Sequence, residues 1–176
     1  MFSWLSILLA VLFPMLAAHP ITRSQTAFGG VLRAFGLIQR VMRPYFQQYG
    51  LNQAQWAILR VLYRAKEEGR PDGLRMMEIG QRLLVQPPSV TTQVRRLVKA
   101  GLASQAKVVN DRRGFELRLT PKGEKLVGRI LVAHQDQIRE VMGGLGDDEL
   151  PTLCAYLERL NTHLAALAAK TPDTLD

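Results

Sequence analysis

The chain has 176 residues, 47% of them hydrophobic and 7% aromatic, one cysteine, and a net charge of +8. That length suits one domain with a substantial core, and a single cysteine, Cys154, excludes an internal disulfide framework. Three scattered histidines (His19, His134 and His163) and one thiol have no metal-site spacing. There is also no G-x-S-x-G, no phosphate-cradling loop and no His–carboxylate cluster, so nothing points to a metal, a cofactor or an enzyme. The charge is uneven. Residues 1–79 carry nine basic and four acidic groups, residues 80–125 ten and three, and residues 126–176 four and eight. A basic middle followed by an acidic tail points to a polyanion held by the middle segment, with a merely solvated basic surface as the alternative.

Residues 1–22 contain no Lys, Arg, Asp or Glu. Their length approaches a membrane span of roughly 20 residues, but Pro14 interrupts the run and His19-Pro20 ends it. The start lacks basic residues and Leu16 spoils the small-x-small site before Ala18, which argues against a secretory signal. Three readings stay open: a helix packing on a partner subunit, an upstream extension with little role, and a membrane anchor, the weakest of the three. An anchor followed by Arg23, Arg33, Arg40 and Arg43 would leave the rest on the cytoplasmic side.

Residues 24–48 predict a helix with one apolar stripe of Val31, Phe35, Ile38, Met42 and Tyr45. Gly29-Gly30 weakens its beginning and Gly50 is a stop. Asn52 and Gln55 form a capping-box pattern, and Leu51 and Trp56 a hydrophobic staple, for a second helix with Ile58, Leu59 and Leu62 inward. "RAKEEGRPDG" is a turn by composition. A short helix follows over 76–84, with Ile79, Leu83 and Leu84 inward. Its Gly80 costs ~1 kcal/mol against alanine and fits a close helix crossing. After a break at Val85-Gln86, Pro87 and Pro88 mark a sharp helix start, because a first-turn proline loses no hydrogen bond. Val90, Val94, Leu97 and Val98 form its core face. Pro88, Thr92, Arg95, Arg96 and Lys99 lie opposite with Ser89 beside them, and Gly101 ends it. The outer face is slim in its first turn and cationic beyond.

The period then changes. Phe115, Leu117 and Leu119 alternate with Glu116 and Arg118, a half-buried strand whose partner is residues 102–109. "NDRRG" between them reads as a basic hairpin tip. Thr120-Pro121 opens a helix over 120–142 with Leu126, Ile130, Leu131, Ile138 and Val141 apolar, and Asp147 or Asp148 caps a last helix. That helix carries Leu150, Leu153, Leu157, Leu160, Leu164 and Leu167, a heptad seam that favours a helix from another subunit over packing within one chain. Cys154 reads as a small packed residue beside the seam.

Helix, short helix, basic helix, hairpin is the order of a winged helix-turn-helix. The fold class is therefore mainly α with a small β-hairpin wing, flanked by N- and C-terminal dimerisation helices. The divisions are an apolar extension (1–22), a dimerisation helix (23–50), a DNA-binding domain (51–120), C-terminal dimerisation helices (121–170) and a tail (171–176). In such a domain the second helix of the turn presents its N-terminal residues to the major groove, and an arginine-bearing wing probes the minor groove. The candidate DNA contacts are Pro88, Ser89, Thr91, Thr92, Gln93, Arg95, Arg96 and Lys99 on the helix, and Asp111, Arg112 and Arg113 on the wing. Gln93 either reads an adenine through its amide or bridges a water.

"LNQAQWAILRVL", "EIGQRLLVQPPSVTTQVRRLVKAGLA" and "NDRRGFELRLTPKGEKL" resemble the multiple antibiotic resistance regulator (MarR) family of bacterial transcription factors over about residues 28–168. The most specific part is Asp-x-Arg-Gly followed by Leu-Thr and then Gly. The resemblance implies a cytoplasmic homodimer built from the first and last helices, with Val31, Phe35 and the six seam leucines in the interface. It implies binding to a palindromic double-stranded DNA operator, as a repressor released by a small aromatic or phenolic effector. In the matching positions Asp111 aims Arg113 into the minor groove with Arg112 beside it, Ser89, Thr92 and Gln93 face bases, and Arg96 meets a phosphate. Trp56 and Tyr63 either line the effector pocket or pack in the core. The chain departs from the family at Arg75-Met76-Met77, where members often open the short helix with Ser or Thr. It lacks the first-helix cysteine of oxidation-sensing members, and residues 1–22 match nothing in the pattern. Two other functions stay open: a membrane-tethered DNA-binding sensor, and a winged helix used only for protein assembly.

Overall fold

The computed structural model describes residues 21–83, 87–108 and 111–170, and the side chains of these apart from residues 87–89, 107, 108 and 111–114. The readings of residues 1–20, of Leu84, of the Val85-Gln86 break and of the tail fall outside the described residues. The chain divides into two units, residues 1–124 and 125–176.

In the first unit, helix α1 (Arg23–Gln47) opens on a capping box: Thr22 Oγ1 accepts from the Gln25 N–H and Gln25 Oε1 accepts from the Thr22 N–H. The doubly held first turn carries the helix straight through Gly29-Gly30. Of the predicted stripe only Met42 and Tyr45 are buried, joined by Phe46; Val31, Phe35 and Ile38 are exposed. Helix α2 (Gln53–Glu67) starts as expected on the Asn52–Gln55 box, with both reciprocal bonds at 2.9 Å. Leu51 and Trp56 are both buried, as a staple requires. Phe46 stacks on Trp56 with ring centroids 5.9 Å apart, and Tyr45 meets Phe46 edge-on at 5.2 Å.

Beyond α2 lies a two-residue strand, β1 (Leu74–Arg75), too short to show any periodicity. It pairs antiparallel with β3 (Asp111–Leu119), Leu74 opposite Leu117, and β2 (Ala103–Val108) pairs on the other edge. The expected hairpin of β2 and β3 is thus present, and β1 adds a third strand to it in the order β1-β3-β2. Gly73, at φ 107°, lets the chain approach this closely; a Cβ there would stand 2.2 Å from the Leu117 carbonyl oxygen. The predicted tip also shifts. Asp111 pairs with Val108 and Phe115 with Lys107, so Arg112, Arg113 and Gly114 belong to the irregular outer part of β3. Leu117 is buried, but Phe115, expected inward, is 43% exposed. β1 reaches only as far as Glu116 and Leu117, so the three-stranded layer stops before Phe115.

Helix α3 (Met76–Leu83) and helix α4 (Pro87–Lys99) complete the helix-turn-helix with α2. Ile79 and Gly80 are buried, whereas Leu83 is only half-buried. Gly101, at φ 68°, ends α4 with its N–H on the Val98 carbonyl while the Leu102 N–H bonds the Leu97 carbonyl, a glycine C-cap. Helix α5 (Pro121–Met142) begins at Thr120, whose Oγ1 donates to the Gly101 carbonyl (2.7 Å) and accepts from the Gly123 N–H (3.1 Å). A Cβ at Gly123 would lie 2.0 Å from the Leu102 carbonyl oxygen. The glycine after "LT" is therefore a steric necessity where α5 starts against the end of α4. Gly123→Ala is expected to destabilise the protein by about 1–3 kcal/mol, read as a lower urea midpoint with unchanged slope.

In the second unit, Leu126, Val127, Ile130 and His134 are buried, while Ile138 is exposed. Helix α6 (Leu150–Ala168) is not capped by Asp147 or Asp148. Glu149 holds the N-cap position without a side-chain bond to the helix, and its carboxylate accepts from the Gly146 N–H at 2.8 Å. The N–H groups of Glu149 and Leu150 both bond the Gly146 carbonyl, so the two aspartates stand in a preceding turn. No residue of α6 is buried. The leucine seam lies open along it, Leu164 being 50% exposed, and Cys154 is exposed rather than packed.

Candidate nucleic-acid interface

Helix α4 divides cleanly between an anchored and an open face. Val90, Val94 and Leu97 are buried, which fixes its rotation against the core. Thr92, Arg95, Arg96 and Lys99 then face solvent, and Thr91 and Gln93 are half-buried at the flanks. Pro88 and Ser89 lie in its first turn. Asp111, Arg112 and Arg113 lie in β3 at the far end of the sheet; their side chains, and with them the Asp111–Arg113 pairing that the family resemblance implies, fall outside the described set.

The start of α3, which lacks the Ser or Thr seen in the family, is held another way. The Glu78 carboxylate accepts from the Arg75 N–H (2.8 Å) and from the Arg70 guanidinium (2.6 and 3.3 Å). The Arg70 hydrogen bonds hold the Glu78 carboxyl below the usual carboxylate range. Glu68 in turn accepts from Arg82 and Arg64, each at 3.0 Å, and the Arg82 bond leads in lowering its pKa. These pairs are too exposed to add much stability; they align α3 against the end of α2. One further link went unseen in the sequence: Asn52 Nδ2 donates to Gln93 Oε1 at 3.0 Å, joining the α2 cap to α4 across 41 positions. No local pattern spans such a distance.

A cleft of about 420 Å³ runs between the start of α3, α4 and the base of the wing, with Met76, Met77 and Phe115 as apolar lining and Arg75 and Arg95 as cations. Trp56 and Tyr63 do not line it: Trp56 is in the core under Phe46, and Tyr63 is half-buried on α2. Among the described residues there is no group of three or more His, Cys, Asp or Glu placed to hold a metal ion, and no helix long and apolar enough to cross a membrane.

Comparison with known proteins agrees with this geometry. A sequence profile of the MarR family matches residues 49–114. The HTH-type transcriptional regulator FarR of Neisseria gonorrhoeae is 33% identical over 117 residues, 65% of this chain and 76% of that protein. The HTH-type transcriptional regulator PecS of Dickeya dadantii is 28% identical over 136 residues, 77% of this chain and 80% of the other. Among solved structures, a mutant MarR from E. coli complexed with operator DNA superposes with a TM-score of 0.69 at 22% identity, covering 81% of this chain and 99% of that one. At that identity the likeness is one of fold.

Proposed function

The chain belongs to the MarR family of DNA-binding transcriptional regulators, which are not enzymes, and on that premise we propose that two copies of it bind a palindromic operator as a ligand-responsive repressor. In this reading α4 enters the major groove. Pro88, Ser89, Thr91, Thr92 and Gln93 approach base edges, while Arg95, Arg96 and Lys99 meet phosphates. Arg112 and Arg113 reach the minor groove from the wing, Asp111 aiming Arg113. The carrying observation is the solvent-facing run of Thr92, Arg95, Arg96 and Lys99 on a helix anchored by the buried Val90, Val94 and Leu97.

Pairing of copies is supported by the apolar surface each leaves open. Phe28, Val31, Leu32 and Phe35 on α1, and Leu157, Leu160, Leu164 and Leu167 on α6, are all exposed large hydrophobic residues, more than a stable single copy ordinarily shows to water. The seam leucines Leu150 and Leu153 continue the α6 stripe. The effector reading moves from Trp56 and Tyr63 to the cleft at Met77 and Phe115, whose apolar lining and cations Arg75 and Arg95 suit a small aromatic or phenolic acid. A molecule seated there stands beside Thr91 and Arg95 and competes with DNA. Such a regulator works in the cytoplasm, where its operator is.

The test uses an operator selected from random duplexes. Arg113→Ala is expected to weaken binding by ~1–3 kcal/mol without altering thermal unfolding. The footprint is expected to cover two half-sites ~34 Å apart, about 10 base pairs between centres. Unchanged affinity of the variant, or protection of one lone half-site, contradicts the reading.

A further inference from the structure

We propose that Asn52, outside the recognition helix, is a positioning residue that dictates how Gln93 meets DNA: it draws the amide oxygen to itself, so Gln93 turns its NH₂ group to the bases and selects guanine at its base pair. The proposal rests on α4 lying in the major groove.

A short chain of hydrogen bonds fixes the polarity of both amides. The Gln55 backbone N–H can only donate, so the Asn52 atom 2.9 Å from it is the carbonyl oxygen Oδ1. The other half of that amide is then the NH₂ group, which can only donate. It lies 3.0 Å from Gln93, so the Gln93 atom facing it is the oxygen Oε1. Turning the Gln93 amide over would set NH₂ against NH₂. Turning the Asn52 amide over would break the cap of α2, whose return bond from the Asn52 N–H to Gln55 Oε1 also measures 2.9 Å. Neither flip is neutral, so the cap dictates the orientation of an amide 41 positions away. Gln93 is half-buried, which limits the routes by which its amide can swing free.

The consequence concerns base choice. A glutamine that reads adenine needs both halves of its amide, the oxygen accepting from N6 and the nitrogen donating to N7. Here the oxygen is turned to Asn52, and the half of the amide left to face the bases is the NH₂ group with its two N–H donors. Guanine presents two acceptors in the major groove, N7 and O6, whereas adenine presents one acceptor and one donor. An amide that presents its NH₂ group therefore matches guanine.

The experiment is selection of duplexes from a random pool, followed by titration, with the full-length chain and three variants. Asn52→Asp keeps the cap, since aspartate is as good an N-cap as asparagine, but it cannot donate. Gln93 then turns its NH₂ to the new carboxylate and shows its oxygen. The expected result is that guanine preference at one base pair of each half-site falls by about tenfold relative to cytosine, whose N4 donates, while preferences elsewhere stay put. A uniform loss of affinity from the added negative charge is read separately and moves no preference. Asn52→Ser, also a good cap, is expected to relax that position without the charge. Gln93→Ala is expected to erase the preference in every background. Thermal unfolding close to that of the parent shows that the fold is kept.

Guanine preference that survives both Asn52 variants yet disappears in Gln93→Ala overturns the role of Asn52. A preference that survives Gln93→Ala overturns base reading by Gln93. Only uniform losses in all three variants place Gln93 at a phosphate and likewise overturn the proposal. A parent chain that enriches no duplex at all is a different result: there the DNA-binding reading falls, and this proposal with it.

Discussion

Leu157→Asp combined with Leu160→Asp is expected to abolish the dimer, leaving separate or unfolded chains by light scattering and circular dichroism. In a single copy both leucines are exposed and α6 has no buried residue. If that were their working environment, each change would be a surface substitution worth within about 0.5 kcal/mol. If a second copy covers the seam, each carboxylate is forced into an apolar interface with no partner, at an effective cost of several kcal/mol per charge. The two states of assembly thus give opposite answers to the same substitution. A dimer that persists in the double variant refutes the role of Leu150, Leu153, Leu157, Leu160, Leu164 and Leu167 as its seam. Val31→Asp with Phe35→Asp repeats the logic on α1, where the exposed stripe has the same unfinished character.

What was legible in the sequence was what neighbouring residues decide. The Asn52–Gln55 box needs residues three apart, the Pro87 start needs one turn, and the last helix needs only its leucine period; each of these elements is found where the sequence places it. The Thr22–Gln25 box has the same spacing but was obscured, because Thr22 closes an apolar run and Gly29-Gly30 argues for a weak helix start. β1 was invisible for a different reason: two residues cannot alternate, and Leu74 owes its strand geometry to Leu117, far along the chain. Phe115 failed because alternation says which side of a strand faces inward but not where the layer beneath it ends. Asp147 and Asp148 failed because a preceding turn closed on Gly146 used the residues that a cap would have needed. At the candidate interface, Thr92, Arg95, Arg96 and Lys99 were legible from helical period alone. The Asn52–Gln93 bond was not, since only the packing of α4 on α2 brings the two amides together.

Affinity for operator is expected to fall by about 10³–10⁵ between ~50 and ~200 mM salt. The steepness follows from the cations on the proposed DNA-binding face. Residues 80–125 carry ten basic and three acidic groups, and Arg95, Arg96 and Lys99 stand exposed on α4. With Arg112 and Arg113 of the wing, two copies set roughly ten cations against the duplex, within the range of contacts for which counterion release gives such a slope. The acidic groups that pair with arginine nearby do not cancel this. Glu68 and Glu78 are engaged by Arg64, Arg70 and Arg82. Lys99→Ala is expected to lower the slope of log affinity against log salt by about 1 per copy and to weaken all sequences alike. A winged helix that serves only to assemble proteins has no phosphates to neutralise, so fluorescence-anisotropy titrations of duplex DNA would be flat in salt. That flat response is the result that removes DNA from the function of this chain.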